Sequence, residues 1–245
     1  MARHPGIDGP SKIARNPDRV ARLILKRSLT QGVALGYHIS RRWREDRMKR
    51  QTLQEWAGVS RIFALVFTDI VDSTSLAVQL GDESWIELLR KHFAQVRRLL
   101  AQYEHHEIKI IGDSFMVIFR TALDAFDFGL ALEKDTGDSR IRIRVGIHVG
   151  SARVIDDDIF GNMVNYTKRV EGVQLEGGIT LSDVAYREIT NEKAARHSWL
   201  VFQSLQVPFK GLPNQELVWL VITPANAARL LGNALRTRLP NSKLG

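Results

Sequence analysis

A chain of 245 residues is long enough for one sizeable domain plus an extension, and 44% hydrophobic content is ordinary for a globular protein. With no cysteine, the chain has no disulfide, no thiol nucleophile and no zinc–thiolate site, which suits a reducing compartment. No apolar run approaches the roughly 20 residues that cross a bilayer, and the N-terminus lacks the apolar stretch of a signal peptide, so a cytoplasmic location is expected.

The net charge of +8 sits at one end: residues 1–60 hold 13 Lys or Arg against 5 Asp or Glu, and residues 61–245 hold 22 of each. Residues 1–58 therefore read as a basic helical extension. From Asp18, the apolar Val20, Leu23 and Ile24 recur among Arg19, Arg22, Lys26 and Arg27 at helical spacing. A second helix is predicted from about Ile39 to Trp56, ahead of Gly58. Basic amphipathic helices contact nucleic acid or anionic membranes, but packing on the core or on a dimer is the preferred reading. A core domain over 59–224 follows, then a tail over 225–245 with an apolar stripe at Leu230, Leu231 and Leu235.

Within the core, strands are predicted near 61–68, 107–111, 115–119, 141–149 and 152–155, and later near 178–181, 199–206 and 216–222. Helices fall near 73–103, 121–134, 163–174 and 182–190. Two strand–helix–strand halves around one antiparallel-rich sheet flanked by helices give an α+β fold. Phe115, Phe119, Phe126 and Phe128 are candidate core. Gly112-Asp113 falls between two strands, where glycine permits a tight hairpin turn.

Two strands each deliver an aspartate at their end: Asp69 in Phe67-Thr68-Asp69-Ile70 and Asp113 in Ile111-Gly112-Asp113-Ser114. Paired carboxylates suit hard divalent cations, and two such ions grip the attacking and leaving oxygens of a phosphoryl transfer. The rival explanation is a pair of surface turn residues, where Asp is common. Ser73 and Thr74 follow Asp69 at the start of a helical pattern, a place for phosphate oxygens. Asn165 and Arg169 lie one helical turn apart and so face one side, unless Asn165 is merely a helix cap and Arg169 a surface residue. His148 sits in an apolar strand and reads as a hydrogen-bonded structural histidine rather than a general base. His105-His106 reads as a solvated connection, not a metal pair.

These blocks resemble the class III nucleotidyl cyclase catalytic domain. The opening motif is Phe67-Thr68-Asp69-Ile70-Val71-Asp72-Ser73-Thr74. Then come Gly81-Asp82 before Trp85, Lys109-Ile110-Ile111-Gly112-Asp113 and Arg144-Val145-Gly146-Ile147-His148-Val149-Gly150. Asp158-Ile159-Phe160-Gly161-Asn162-Met163-Val164-Asn165 with Arg169, and Phe209-Lys210-Gly211, complete the series. The likeness runs from about Arg61 to Thr223 with every block in family order. The turn at Asp113 lacks the paired glycines and following glutamate of diguanylate cyclases.

The resemblance implies a ferredoxin-like fold and a head-to-tail homodimer with two sites. Asp69, Asp113 and the Ile70 carbonyl would hold two divalent cations per site, Mn²⁺ or Mg²⁺. Asn165 would position the ribose, Arg169 would stabilise charge at the α-phosphate, and Lys210 would bind the terminal phosphates. Arg153 is a weaker phosphate candidate. The reaction implied turns a nucleoside triphosphate into a 3′,5′-cyclic nucleotide and pyrophosphate. Lys109 and Asp158 match the base-reading pair of family adenylate cyclases. Chemically a Lys donor with an Asp acceptor suits adenine, cytosine or uracil, and guanine is not formally excluded.

One departure bears on ring size. Where most relatives carry small residues, this chain has Tyr166-Thr167-Lys168. Their bulk either narrows the base pocket against purines or turns outward. A compact cyclase altered in this helix is similar to the pyrimidine cyclases of bacterial anti-phage defence (Pycsar). That likeness implies UTP as substrate and cyclic UMP as a second messenger for a responsive effector. ATP is the alternative substrate, and a non-catalytic nucleotide-binding regulatory module is the alternative role.

Overall fold

The computed structural model describes residues 52–58, 62–174, 176–193, 200–224, 226 and 227. Its elements in chain order are α1 (Leu53–Ala57), β1 (Ile62–Ile70), α2 (Ser73–Leu80), α3 (Asp82–Leu100), β2 (His105–Ile111), β3 (Ser114–Phe119), α4 (Ala122–Lys134) and β4 (Ile143–Ser151). There follow β5 (Arg153–Ile155), β6 (Asp158–Phe160), α5 (Asn162–Glu171), β7 (Gly178–Ser182), α6 (Asp183–Lys193), β8 (Val201–Pro208) and β9 (Gln215–Ile222).

Seven strands form one sheet in the order β2-β3-β1-β4-β7-β9-β8, and β5 pairs with β6 in a separate hairpin. Among the described residues only the β4–β7 pairing is parallel. The mixed α+β architecture with an antiparallel-rich sheet is therefore the one the sequence predicts. The β2–β3 hairpin turns at Gly112, whose φ of 65° is readily adopted by glycine.

The alternation of side chains along β4 sorts the two faces of the sheet. Ile143, Val145, Ile147 and Val149 are buried, and Val145 and Ile147 meet α4 at Gly129. Packed with α3 and α6, α4 builds a layer rich in Phe93, Phe115, Phe119, Phe126 and Phe128, all nearly inaccessible. The other parity, Arg144, Gly146 and His148, faces α5. A Cβ at Gly146 would lie 2.4 Å from the Glu171 backbone nitrogen, so only glycine lets α5 come this close. Beneath α5 a second apolar cluster joins Phe63, Leu65, Phe67, Met116, Ile118, Ile159 and Met163 to Leu53 and Trp56 of α1.

Several expectations need correction. The helix predicted over 73–103 is broken at Gly81, whose φ of 75° takes the backbone out of the helical region and separates α2 from α3. The predicted helix does not run unbroken to Trp56: Thr52 has extended backbone and caps α1 through a capping box with Glu55. His105 and His106 are half-buried residues of strand β2, not a solvated connection. Asp158 begins a short strand, β6, that the sequence reading did not separate from the helix start. The rest of the predicted N-terminal helices and the Leu230–Leu235 stripe lie outside the described residues.

Candidate active site

The two aspartates come together because β1 pairs with β3, the return strand of the β2–β3 hairpin. Ser114 donates its hydroxyl to Asp69 Oδ1 at 2.5 Å, and the Ile70 N–H donates to Asp113 Oδ2 at 3.1 Å. The nearby Ser73 hydroxyl weakly favours the charged form of Asp113. Burial pushes the Asp113 carboxyl above the ordinary carboxylate range, and the neighbouring Asp69 charge pushes it the same way. Thr74 is exposed one residue further along α2.

This donor set fits a divalent cation. Two carboxylates close enough to repel each other gain from a cation between them. Among the described residues no three His, Cys, Asp or Glu side chains converge as a closed cage. Magnesium sites on nucleotide substrates rarely need one, because phosphates and water complete the shell. Asp69 is already engaged with cationic side chains: it pairs with Arg144, directly across the β1–β4 ladder, and Lys168 Nζ lies 3.7 Å from Oδ1.

On α5, Asn165 and Arg169 line one cavity of about 610 Å³ together with His148, Tyr166, Gly211 and Leu212. The Tyr166-Thr167-Lys168 triplet splits three ways. Tyr166 walls the cavity, packs against His148 and Phe209 at ring distances of 4.6 and 5.4 Å, and donates to Glu216 at 3.0 Å. Thr167 is buried and donates to the Met163 carbonyl at 2.7 Å. Lys168 is directed to Asp69 and Glu171. His148 Nδ1 lies 2.9 Å from Ser182 Oγ, and burial lowers its pKa to about 4, so its imidazole is neutral at physiological pH.

Lys210 is exposed in the turn after β8, between the buried Phe209 and Gly211. Gly211 brings that turn to the tip of Arg169, whose Nη2 would lie 3.9 Å from a Cβ there. Lys109 on β2 and Asp158 on β6 form an ion pair at 2.5 Å. Arg153 lines a second opening of about 580 Å³ with Ile155 and Phe160.

The predicted residues thus fall into three groups: Asp69, Ile70, Asp113 and Ser73; Lys109 with Asp158; and Asn165 with Arg169 beside the Lys210–Gly211 turn. The cavity at Asn165 is lined by neither of the first two groups. The sequence reading missed Arg144 and Glu171 as partners of this site. Arg144 shares the parity of Gly146 and His148 along β4, which was a usable signal; Glu171 gave none.

Fold and motif order together place the chain with the catalytic domains of nucleotide cyclases. The chain belongs to the adenylate and guanylate cyclase catalytic domain family, which matches residues 59–221. It is 24% identical over 201 residues to receptor-type adenylate cyclase ESAG 4 of Trypanosoma brucei brucei, covering 62% of this chain and 16% of that protein. It is 26% identical over 157 residues to guanylate cyclase soluble subunit beta-2 of Homo sapiens, covering 56% of this chain and 25% of that protein. The chain thus spans a quarter or less of the length of these relatives. Its fold matches the adenylyl cyclase CyaB from P. aeruginosa with a TM-score of 0.57 and 22% identity, over 66% of this chain and 94% of the other.

Proposed function

We propose that the protein is a nucleotidyl cyclase that converts UTP to cyclic UMP and pyrophosphate, working as a head-to-tail homodimer. The observation that carries the cyclase reading is the pair of half-sites in one chain. Asp69 and Asp113 meet at paired strand ends, while Asn165 and Arg169 line an open cavity of a size that suits a small ligand. Asp69 and Asp113 do not line that cavity, which supports a site completed by a second copy.

In the reaction the ribose 3′-oxygen attacks the α-phosphorus and pyrophosphate leaves. Divalent cations, when bound, supply charge neutralisation at the phosphates. Asp69, Asp113 and the Ile70 carbonyl would hold them. Asn165 orients the ribose by hydrogen bonding, and Arg169 donates to the α-phosphate oxygens as charge builds there. Lys210 and the Ser73 and Thr74 hydroxyls hold the outer phosphates. Lys109 and Asp158 satisfy each other until a base parts them and takes one donor and one acceptor. Parting a half-exposed pair costs little.

The preference for a pyrimidine rests on the likeness of the altered Tyr166-Thr167-Lys168 helix to pyrimidine cyclases, and Tyr166 bears on the ribose side of the site rather than on the Lys109–Asp158 pair. The Tyr166 ring is fixed by His148, Phe209 and Glu216 and takes space from the Asn165–Arg169 cavity. The product then acts as a second messenger on an effector that recognises cyclic UMP, in anti-phage defence. The test incubates the purified protein with Mn²⁺ and each of ATP, GTP, CTP and UTP, and identifies products by mass and chromatography, with Asp69→Ala as control. Cyclic UMP as the main product is expected. Cyclic AMP would overturn the pyrimidine reading, and no product despite measurable nucleotide binding would favour a regulatory module.

A further inference from the structure

Four charged side chains close a ring beside the Asp69 carboxylate. Asp69 pairs with Arg144, Arg144 Nε lies 3.0 Å from Glu171 Oε1, Glu171 Oε2 takes Lys168 Nζ at 2.8 Å, and Lys168 Nζ lies 3.7 Å from Asp69 Oδ1. Positive and negative members alternate around it. Asp69 Oδ1 also accepts from Ser114, so both carboxylate oxygens face donors.

The two cations of the ring differ in how they are held. Arg144 is set by sheet register, opposite Asp69 on the neighbouring strand, and its side chain is 22% exposed. Lys168 rides on α5 with its side chain 46% exposed, and its contact with Asp69 is the longest of the four. Its stronger partner is Glu171, one turn along the same helix and almost fully buried. Lys168 can therefore leave Asp69 without losing its main ion pair, whereas Arg144 is less exposed and is held between Asp69 and Glu171. The flexible stem of lysine, with its freely rotating ammonium, suits that movement.

Resting on the reading that Asp69 helps hold a divalent cation, we propose that Lys168 is a tethered competitor for that cation. With the seat vacant, the ammonium shares Asp69 and Glu171. When a cation takes Asp69, Lys168 retreats to Glu171, which keeps its charge close to the seat. A fixed positive charge within about 4 Å of a cation site lowers affinity there. Lys168 thus sets how much divalent cation the protein needs before Asp69 is engaged. Because it rides on the helix that carries Asn165 and Arg169, cation entry also changes what holds that helix to β1.

The test is direct Mn²⁺ binding to the full chain without nucleotide, followed by the paramagnetic signal of the free ion. It compares the wild type with Lys168→Met, Lys168→Arg and Asp69→Asn. Lys168→Met is expected to tighten binding roughly three- to tenfold, the size of one partly exposed charge coupling. Lys168→Arg keeps the charge and should stay near wild type, and Asp69→Asn should weaken or abolish the same binding. Thermal unfolding of each variant checks that the fold is kept. Binding that depends on Asp69 but is unchanged or weakened in Lys168→Met overturns the competitor role alone. Absence of any Asp69-dependent binding in every variant, also after a 3′-deoxynucleoside triphosphate is added to complete the shell, overturns the cation reading of Asp69, and the proposal with it.

Discussion

Single side chains at this site are governed by what they are buried against. His148 is a strand residue in a position that tempts assignment as a base, but burial lowers its pKa from 6.5 to about 4. Unfolded, the imidazole returns to its ordinary value, so the unfolded chain binds more protons between those two pH values. Stability from this group is therefore full above about pH 6.5 and is lost as pH falls toward 4. The buried His92 shifts the same way for the same reason. Replacing His148 by Gln should reduce the loss of unfolding free energy between pH 7 and pH 5 by about 2 kcal/mol, read from urea titrations at both values. Activity should show no inflection near pH 6.5 that the same substitution removes. In the proposed reaction Arg169 acts on charge that develops at the α-phosphate, not on charge present at rest. Arg169→Ala should lower kcat roughly 10²- to 10³-fold while changing nucleotide affinity far less, measured by initial rates and equilibrium binding.

At the scale of elements, the position of α5 is decided by the absence of a side chain at Gly146. Alanine there would place its Cβ 2.4–2.5 Å from backbone and side-chain atoms of Glu171, and backbone cannot rotate away as a side chain does. Gly146→Ala should cost about 3 kcal/mol or more, lowering the melting temperature by roughly 10 °C, and should cut activity by displacing Asn165 and Arg169. That glycine stands in a motif the sequence displays, and much else was legible in the same way. Apolar runs marked β1, β3 and β4, Gly112 marked the hairpin, and the four phenylalanines marked the core. What escaped was tertiary. Leu76 and Leu80 continue the helical period up to Gly81, so nothing local separated α2 from α3. Three residues are too few for periodicity to reveal β6. The fates of Tyr166, Thr167 and Lys168 depend on how α5 is rotated over the sheet, which spacing alone leaves open. The ring of Arg144, Glu171, Lys168 and Asp69 joins three separate elements, so no local pattern announces it.

For the whole molecule, the proposed division of the site between two copies makes a prediction. Asp69 and Asp113 lie at the β1 end and the β2–β3 turn, while Asn165, Arg169 and the Gly211 turn border a cavity that reaches neither aspartate. If a catalytic centre takes its carboxylates from one copy and its Asn and Arg from another, two differently disabled chains should repair each other. Asp69→Ala alone has no centre with carboxylates intact, and Arg169→Ala alone has none with the arginine. Mixed and allowed to exchange, half of the dimers formed at random contain one of each chain. Each of those has one centre built from the intact Asp69 of one copy and the intact Arg169 of the other, and one centre lacking both. Rate should therefore recover to about a quarter of the wild-type value per chain. The measurement is cyclic-nucleotide formation as the ratio of the two variants is varied at fixed total protein, with the maximum expected at equal amounts. A mixture no more active than its components, with subunit exchange confirmed by labelled chains, would mean that each copy carries its own complete centre. The carboxylates and the Asn165–Arg169 cavity would then have to close on each other within one chain, by a movement of α5 relative to β1.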